Sequence, residues 1–158
     1  MTDASPTVLL VMRHAEKSQD PDDPNLSAAG ADRAVQLATF IPNRFGPPKY
    51  IFATAVSKHS ARPLQTVQPL AKAIAVTIDQ SFADQDYGAL AKALQHDPRY
   101  SGQLTLICWH HGNIPNLLHA LHAPDGTFPD PWQRDCFNLI VLLKSNGPMS
   151  VSQVVEPF

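Results

Sequence analysis

The apolar positions of this chain gather into short runs separated by amphipathic stretches. Apolar or β-branched runs over 7–12, 50–53, 75–78, 104–109, 137–143 and 151–155 read as strands. The first, Thr7-Val8-Leu9-Leu10-Val11-Met12, lacks polar alternation and so reads as a strand covered on both faces. Between the runs the apolar spacing becomes helical. Ser27 is a natural N-cap, and Ala34, Leu37, Ala38 and Ile41 share one face of a helix expected over 28–44. A second helix is expected from 61 or 63 to 73, a third over 88–95, and a fourth from 114 with Pro115 in its first turn and Leu117, Leu118 and Leu121 on one face. Pro69 falls inside the second helix and is expected to kink or divide it.

Alternation of strand and helix predicts an α/β fold, a three-layer α/β/α sandwich around a mostly parallel central sheet. The last two strands are separated by a short turn with Asn146-Gly147, a hairpin signal, so the sheet is expected to end in an antiparallel C-terminal edge pair. "SQDPDDPN" (18–25) and "HAPDGTFPDPWQRD" (122–135) read as loops that follow candidate site residues. A length of 158 residues suits one domain spanning 1–158.

Charge narrows the partners. A formal net charge of −2 lacks the basic surface on which general nucleic-acid and anionic-membrane binders depend. No segment reaches the roughly 18 apolar residues of a membrane span. "MTDASPT" lacks a basic n-region, so no signal peptide is expected. The two cysteines, Cys108 and Cys136, lie in or beside apolar runs and read as free thiols of a cytoplasmic protein.

Three strand ends carry the candidate chemistry. Met12 leads into Arg13-His14, Ala53 into "TAVSKHSAR" ending at Arg62, and Trp109 into His110-His111-Gly112. In a parallel sheet these ends share one edge, where open α/β sheets place their ligands. Two guanidinium groups suit a dianionic phosphoryl group, because their forked donors match its oxygens. Neighbouring cations favour a neutral His14, which leaves a ring nitrogen free to attack phosphorus. A second histidine can stabilise the equatorial oxygens in the transition state. Backbone amides at 112–114 are expected to add donors. The seven histidines include no pair at i, i+4 spacing with a third ligand nearby, so no metal site is expected. His96, His119 and His122 read as surface residues.

The ordered motifs resemble the histidine phosphatase superfamily, which includes the cofactor-dependent phosphoglycerate mutases. "MRHAEK" resembles its Arg-His-Gly signature, with Ala15 where glycine is usual. "LSAAGADRA" (26–34) is similar to the opening of its first helix, and "SARPLQTVQPLA" (60–71) to the element with the second phosphate-binding arginine. "WHHGNIP" (109–115) resembles the segment with the second catalytic histidine, which falls on His110. The resemblance implies a phosphatase acting on a phosphomonoester or a phosphohistidine. His14 would be the nucleophile that forms a phosphohistidine intermediate. Arg13, Arg62 and His110 would hold the phosphoryl group, and no metal or organic cofactor is needed. The general acid falls on Asp84 in "FADQDYG", with Asp86 as the neighbouring candidate; an aspartate is one methylene shorter than the family's usual glutamate. The loop before Arg62 is longer than usual, and Lys58 and His59, with Lys17 and His111, are candidate rim residues. The expected partner is a phosphorylated small molecule or phosphoprotein. A phosphate- or phosphopeptide-binding module without turnover and a mutase-type phosphotransferase are the other readings.

Overall fold

The computed structural model describes residues 5–158; residues 1–4, on which the expectation of no signal peptide partly rests, lie outside the described residues. Six strands form one sheet: β1 (Thr7–Arg13), β2 (Tyr50–Ala53), β3 (Ile78–Asp79), β4 (Leu104–Trp109), β5 (Leu139–Ser145) and β6 (Met149–Val155), in the spatial order β3-β2-β4-β1-β5-β6. The first four run parallel, β5 lies antiparallel to β1, and β6 lies antiparallel to β5. The expected three-layer α/β/α sandwich with its antiparallel C-terminal edge pair is therefore what the chain forms. No helix among the described residues is long and apolar enough to cross a membrane.

The pleat sorts the core into two layers, because successive strand residues face opposite sides. Leu10, Met12, Ile51, Ala53, Leu106 and Cys108 pack against α1 (Ala28–Phe45) and α2 (Arg62–Ile74). Leu9, Val11, Phe52, Ile107 and Trp109 pack against α3 (Tyr87–His96) and α4 (Ile114–Ala120) on the other face. The loop after β1 thus leads to one face and the loop after β4 to the other. These two strands are neighbours, so their carboxyl ends open a crevice at a topological switch point.

Local chemistry explains most boundaries. The Ser27 hydroxyl accepts from the Gly30 amide at 3.1 Å and starts α1, whose buried face is Gly30, Ala34, Leu37 and Ile41. The helix ends at Gly46, whose φ of 97° suits glycine. Three expectations need correction. The second helix, expected to kink or divide at Pro69, is not divided there but runs through it as one element, with that proline half-buried and Gln68 before it exposed, so the Gln65 carbonyl deprived of its N–H donor lies near water. The expected strand over 75–78 begins only at Ile78. Ala75 adopts a left-handed conformation, and the Val76 amide returns to the Ala71 carbonyl at 3.0 Å, so these residues finish α2. At the last edge the strand starts at Leu139, not 137, which leaves Phe137 outside the sheet and beside the crevice.

Candidate active site

The crevice is built from strand register. Arg13 sits opposite Trp109, and Ala53 opposite Cys108, so β1, β4 and β2 end almost level. The His14 amide extends the ladder one residue further, donating to the Trp109 carbonyl at 3.2 Å. The His14 ring is buried, with Nδ1 2.7 Å from the Ala15 carbonyl oxygen. A carbonyl only accepts, so Nδ1 carries the hydrogen and Nε2 keeps a free lone pair. The Ala15 amide in turn donates to Thr66 Oγ1 at 2.9 Å, and that hydroxyl donates to the Arg62 carbonyl at 2.7 Å. The loop carrying the histidine is thereby tied to the first turn of α2.

Both arginines are buried at the same place and keep donors to spare. Arg13 Nη1 donates to the Arg134 carbonyl at 2.6 Å, and its guanidinium lies 4.0 Å from the centre of the Phe137 ring. Arg13 Nε is buried without a hydrogen-bond partner, which is costly unless an anion meets it. Burial pulls the Arg13 pKa down to about 10, still charged at neutral pH. Arg62 Nε donates to the Asn25 carbonyl at 3.2 Å and Nη2 to the Asp23 carbonyl, and Nη1 has no hydrogen-bond partner among the described residues. The "SQDPDDPN" loop thus aims the second guanidinium.

His110 follows β4 and faces His14 edge-on, with ring centres 5.4 Å apart. Its Nε2 lies 3.3 Å from Thr54 Oγ1, beyond the end of β2. Burial, then repulsion by Arg13, His110 and Arg62, pushes the His14 imidazole down to about 3 against the opposing pull of the Ala15 carbonyl. Burial also lowers His110, with Arg62 and Arg13 acting the same way and Asp84 opposing them. Both rings are therefore neutral near pH 7. An unfolded chain carries His14 with an ordinary pKa near 6.5, so between that pH and about 3 it binds a proton that the folded chain refuses. Stability from this group is full above pH 6.5 and is lost as pH falls toward 3. Imidazole ¹⁵N spectra are expected to hold His14 in the Nδ1–H tautomer from pH 8 to 5. A midpoint near 6.5 contradicts this geometry.

Asp84 opens a single 3₁₀ turn, Asp84–Asp86, beside His110. Its Oδ2 accepts from Asn113 Nδ2 at 3.0 Å, and its main-chain carbonyl accepts from Trp109 Nε1 at 3.1 Å. Asp86 is exposed and turns back to accept from the Ala83 amide at 3.3 Å. Of the two carboxylates, Asp84 is the one tied to the segment that carries His110.

The rim departs from expectation in three places. Lys17 and His59 line a cleft of about 430 Å³ with Arg62, Arg134 and Phe137, but Lys58 does not. His111 faces a neighbouring cleft of about 420 Å³, beside Trp132, with Arg134 between the two. The Asn113 and Ile114 amides, expected to face an anion, both turn back on the His110 carbonyl at 3.1 Å. A hollow of about 620 Å³ between α1 and Phe158 is lined by none of the histidines. Sequence reasoning missed Arg134, Phe137, Thr54 and Asn113. Asn113 had a signal, since it directly follows His110-His111-Gly112; the others are brought in by tertiary contacts alone.

The chain shares its fold with solved structures of a protein histidine phosphatase and of a phosphoglycerate mutase, at identities that speak for the fold alone. A protein histidine phosphatase SixA complexed with tungstate matches with a TM-score of 0.64 at 15% identity, over 94% of this chain and 96% of that one. A mycobacterial glucosyl-3-phosphoglycerate phosphatase matches with a TM-score of 0.61 at 15% identity, over 95% and 98%. A phosphoglycerate mutase from Plasmodium falciparum matches with a TM-score of 0.60 at 14% identity, over 98% and 91%. No family model and no curated protein matches the sequence.

Proposed function

We propose that this chain is a phosphatase that hydrolyses a phosphomonoester or a phosphohistidine through a phosphohistidine intermediate on His14. The observation that carries the reading is the tautomer of His14: its Nδ1–H is spent on the Ala15 carbonyl, and its bare Nε2 lies among Arg13, Arg62 and His110. Phosphatases among the structural relatives support it.

In the first step Nε2 attacks phosphorus in line, the P–N bond forms and the bond to the leaving group breaks. Arg13, Arg62 and His110 balance the charge on the three equatorial oxygens. Asp84 delivers a proton to a departing alkoxide, which otherwise leaves poorly. In the second step water attacks phosphorus, the P–N bond breaks, and inorganic phosphate leaves. The Asp84 carboxylate takes the proton of that water and is restored.

Steady-state assays on nitrophenyl phosphate, phenyl phosphate and a phosphohistidine peptide, run with a chelator present, test the reading. Release of inorganic phosphate from at least one of them, inhibited by tungstate, is expected. Tungstate binding without turnover of any donor points to a binding module instead. Appearance of the phosphoryl group on a second small molecule points to a mutase.

A further inference from the structure

We infer that Asn113 is the positioning residue that makes Asp84 a one-sided proton donor, an inference that rests on the phosphatase reading above. Asn116 Nδ2 donates to Asn113 Oδ1 at 2.9 Å, which fixes the Asn113 amide with its NH₂ toward Asp84. That NH₂ donates to Asp84 Oδ2 at 3.0 Å and approaches the Asp84 main-chain oxygen at 3.4 Å. The Trp109 indole donates to the same main-chain oxygen at 3.1 Å. Both donors come from the β4–α4 segment that carries His110. The carboxyl is thus registered to the second histidine through residues on either side of it.

The two carboxyl oxygens are not equivalent. Oδ2 is occupied as an acceptor, while Oδ1 is buried and has no hydrogen-bond partner. An orphaned buried oxygen costs free energy unless a partner arrives. A proton on this carboxyl therefore sits on Oδ1, the oxygen left free to donate. As the P–O bond breaks, the proton passes from Oδ1 to the leaving oxygen and the carboxyl becomes a carboxylate. The Asn113 bond strengthens as that charge develops, because a charged acceptor makes a shorter and stronger bond. The stabilisation is therefore greater in the transition state than in the ground state, which is the condition for raising a rate. The 3₁₀ turn is also anchored to the β4–α4 segment through the Asp84 main-chain oxygen.

The test is the leaving-group dependence of kcat/KM across aryl phosphates from dinitrophenyl to phenyl, in wild type, Asn113→Ala, Asp84→Asn and the double variant. A good leaving group needs no proton and a poor one does. Asn113→Ala is expected to lower the phenyl-to-dinitrophenyl rate ratio by about 10-fold or more, out of the roughly 10²–10⁴ that a general acid supplies. Asp84→Asn is expected to lower it further, and adding Asn113→Ala to Asp84→Asn to change it no more, as for residues that act as one unit. An equal drop for every leaving group means that Asn113 only supports the fold and overturns the inference, as does an unchanged ratio. Lack of turnover in wild type on every donor overturns the phosphatase reading itself, which is a separate result.

Discussion

Replacing His14 with alanine is expected to abolish phosphate release while the protein stays folded. The imidazole keeps an uncommitted ring lone pair at Nε2, whereas both guanidinium groups are cationic and the His110 Nε2 already faces Thr54. Loss of a nucleophile from a catalytic set costs about 10⁴-fold or more in kcat. Arg13, Arg62 and His110 remain, so binding of inorganic phosphate or tungstate should survive in the variant, read by isothermal titration. The His14 side chain makes one local hydrogen bond, to its neighbour's carbonyl, so its loss breaks no long-range hydrogen bond. Residual turnover within about 10-fold of wild type means that another group attacks phosphorus. Loss of oxyanion binding together with turnover means that the variant has lost the site's structure.

The largest expected effect on stability comes from a residue with no chemistry. Gly30, in the first turn of α1, lies so close to the loop after His14 that a Cβ built on it meets the Glu16 carbonyl oxygen at 2.2 Å. That carbonyl cannot swing aside easily, because it accepts from the Ser27 amide at 3.0 Å and the Ser27 hydroxyl at 3.2 Å. Gly30→Ala therefore forces α1 away from the loop or breaks the N-cap. The expected cost is about 3 kcal/mol, at the upper end of overpacking changes, which for a domain of this size lowers Tm by roughly 6–12 °C. Activity should fall as well, since Glu16 is two residues beyond His14, the proposed nucleophile. Gly88→Ala is the control. Nothing lies within 4 Å of a Cβ there, and the residue is exposed in α3, so a gain of about 0.5–1 kcal/mol is expected. Equal melting temperatures for Gly30→Ala and wild type contradict the packing described.

What the sequence made legible follows from how local each signal is. The run into Arg13-His14 could be read directly, because an unbroken apolar strand fixes where its end lies and the next two residues inherit that place. The Leu104–Trp109 strand is legible in the same way and delivers His110. Pro69 misled because propensity speaks for an isolated helix, whereas α2 is held by Val67, Leu70 and Ala71 in the core on either side of that proline. The start of β3 misled because apolar Ala75 and Val76 also suit a helix exit, and a left-handed cap leaves no mark in alanine. The choice between Asp84 and Asp86 needed a third residue, Asn113, 29 positions on from Asp84. Arg134 needed a contact 121 positions from Arg13, made through its backbone carbonyl, which any residue type could supply. The need for glycine at position 30 is likewise invisible in α1 and arises only where the Glu16 loop crosses it.

The central claim is a covalent bond between phosphorus and His14. Rapid mixing of the protein with a generic phosphodonor, quenched in alkali because phosphohistidine is acid-labile, followed by mass spectrometry of the peptide containing residues 13–17, tests it most directly. A transient phosphoryl group on His14, formed and lost at rates compatible with turnover, is the predicted result. Steady phosphate release with no label on His14 at any time point contradicts it.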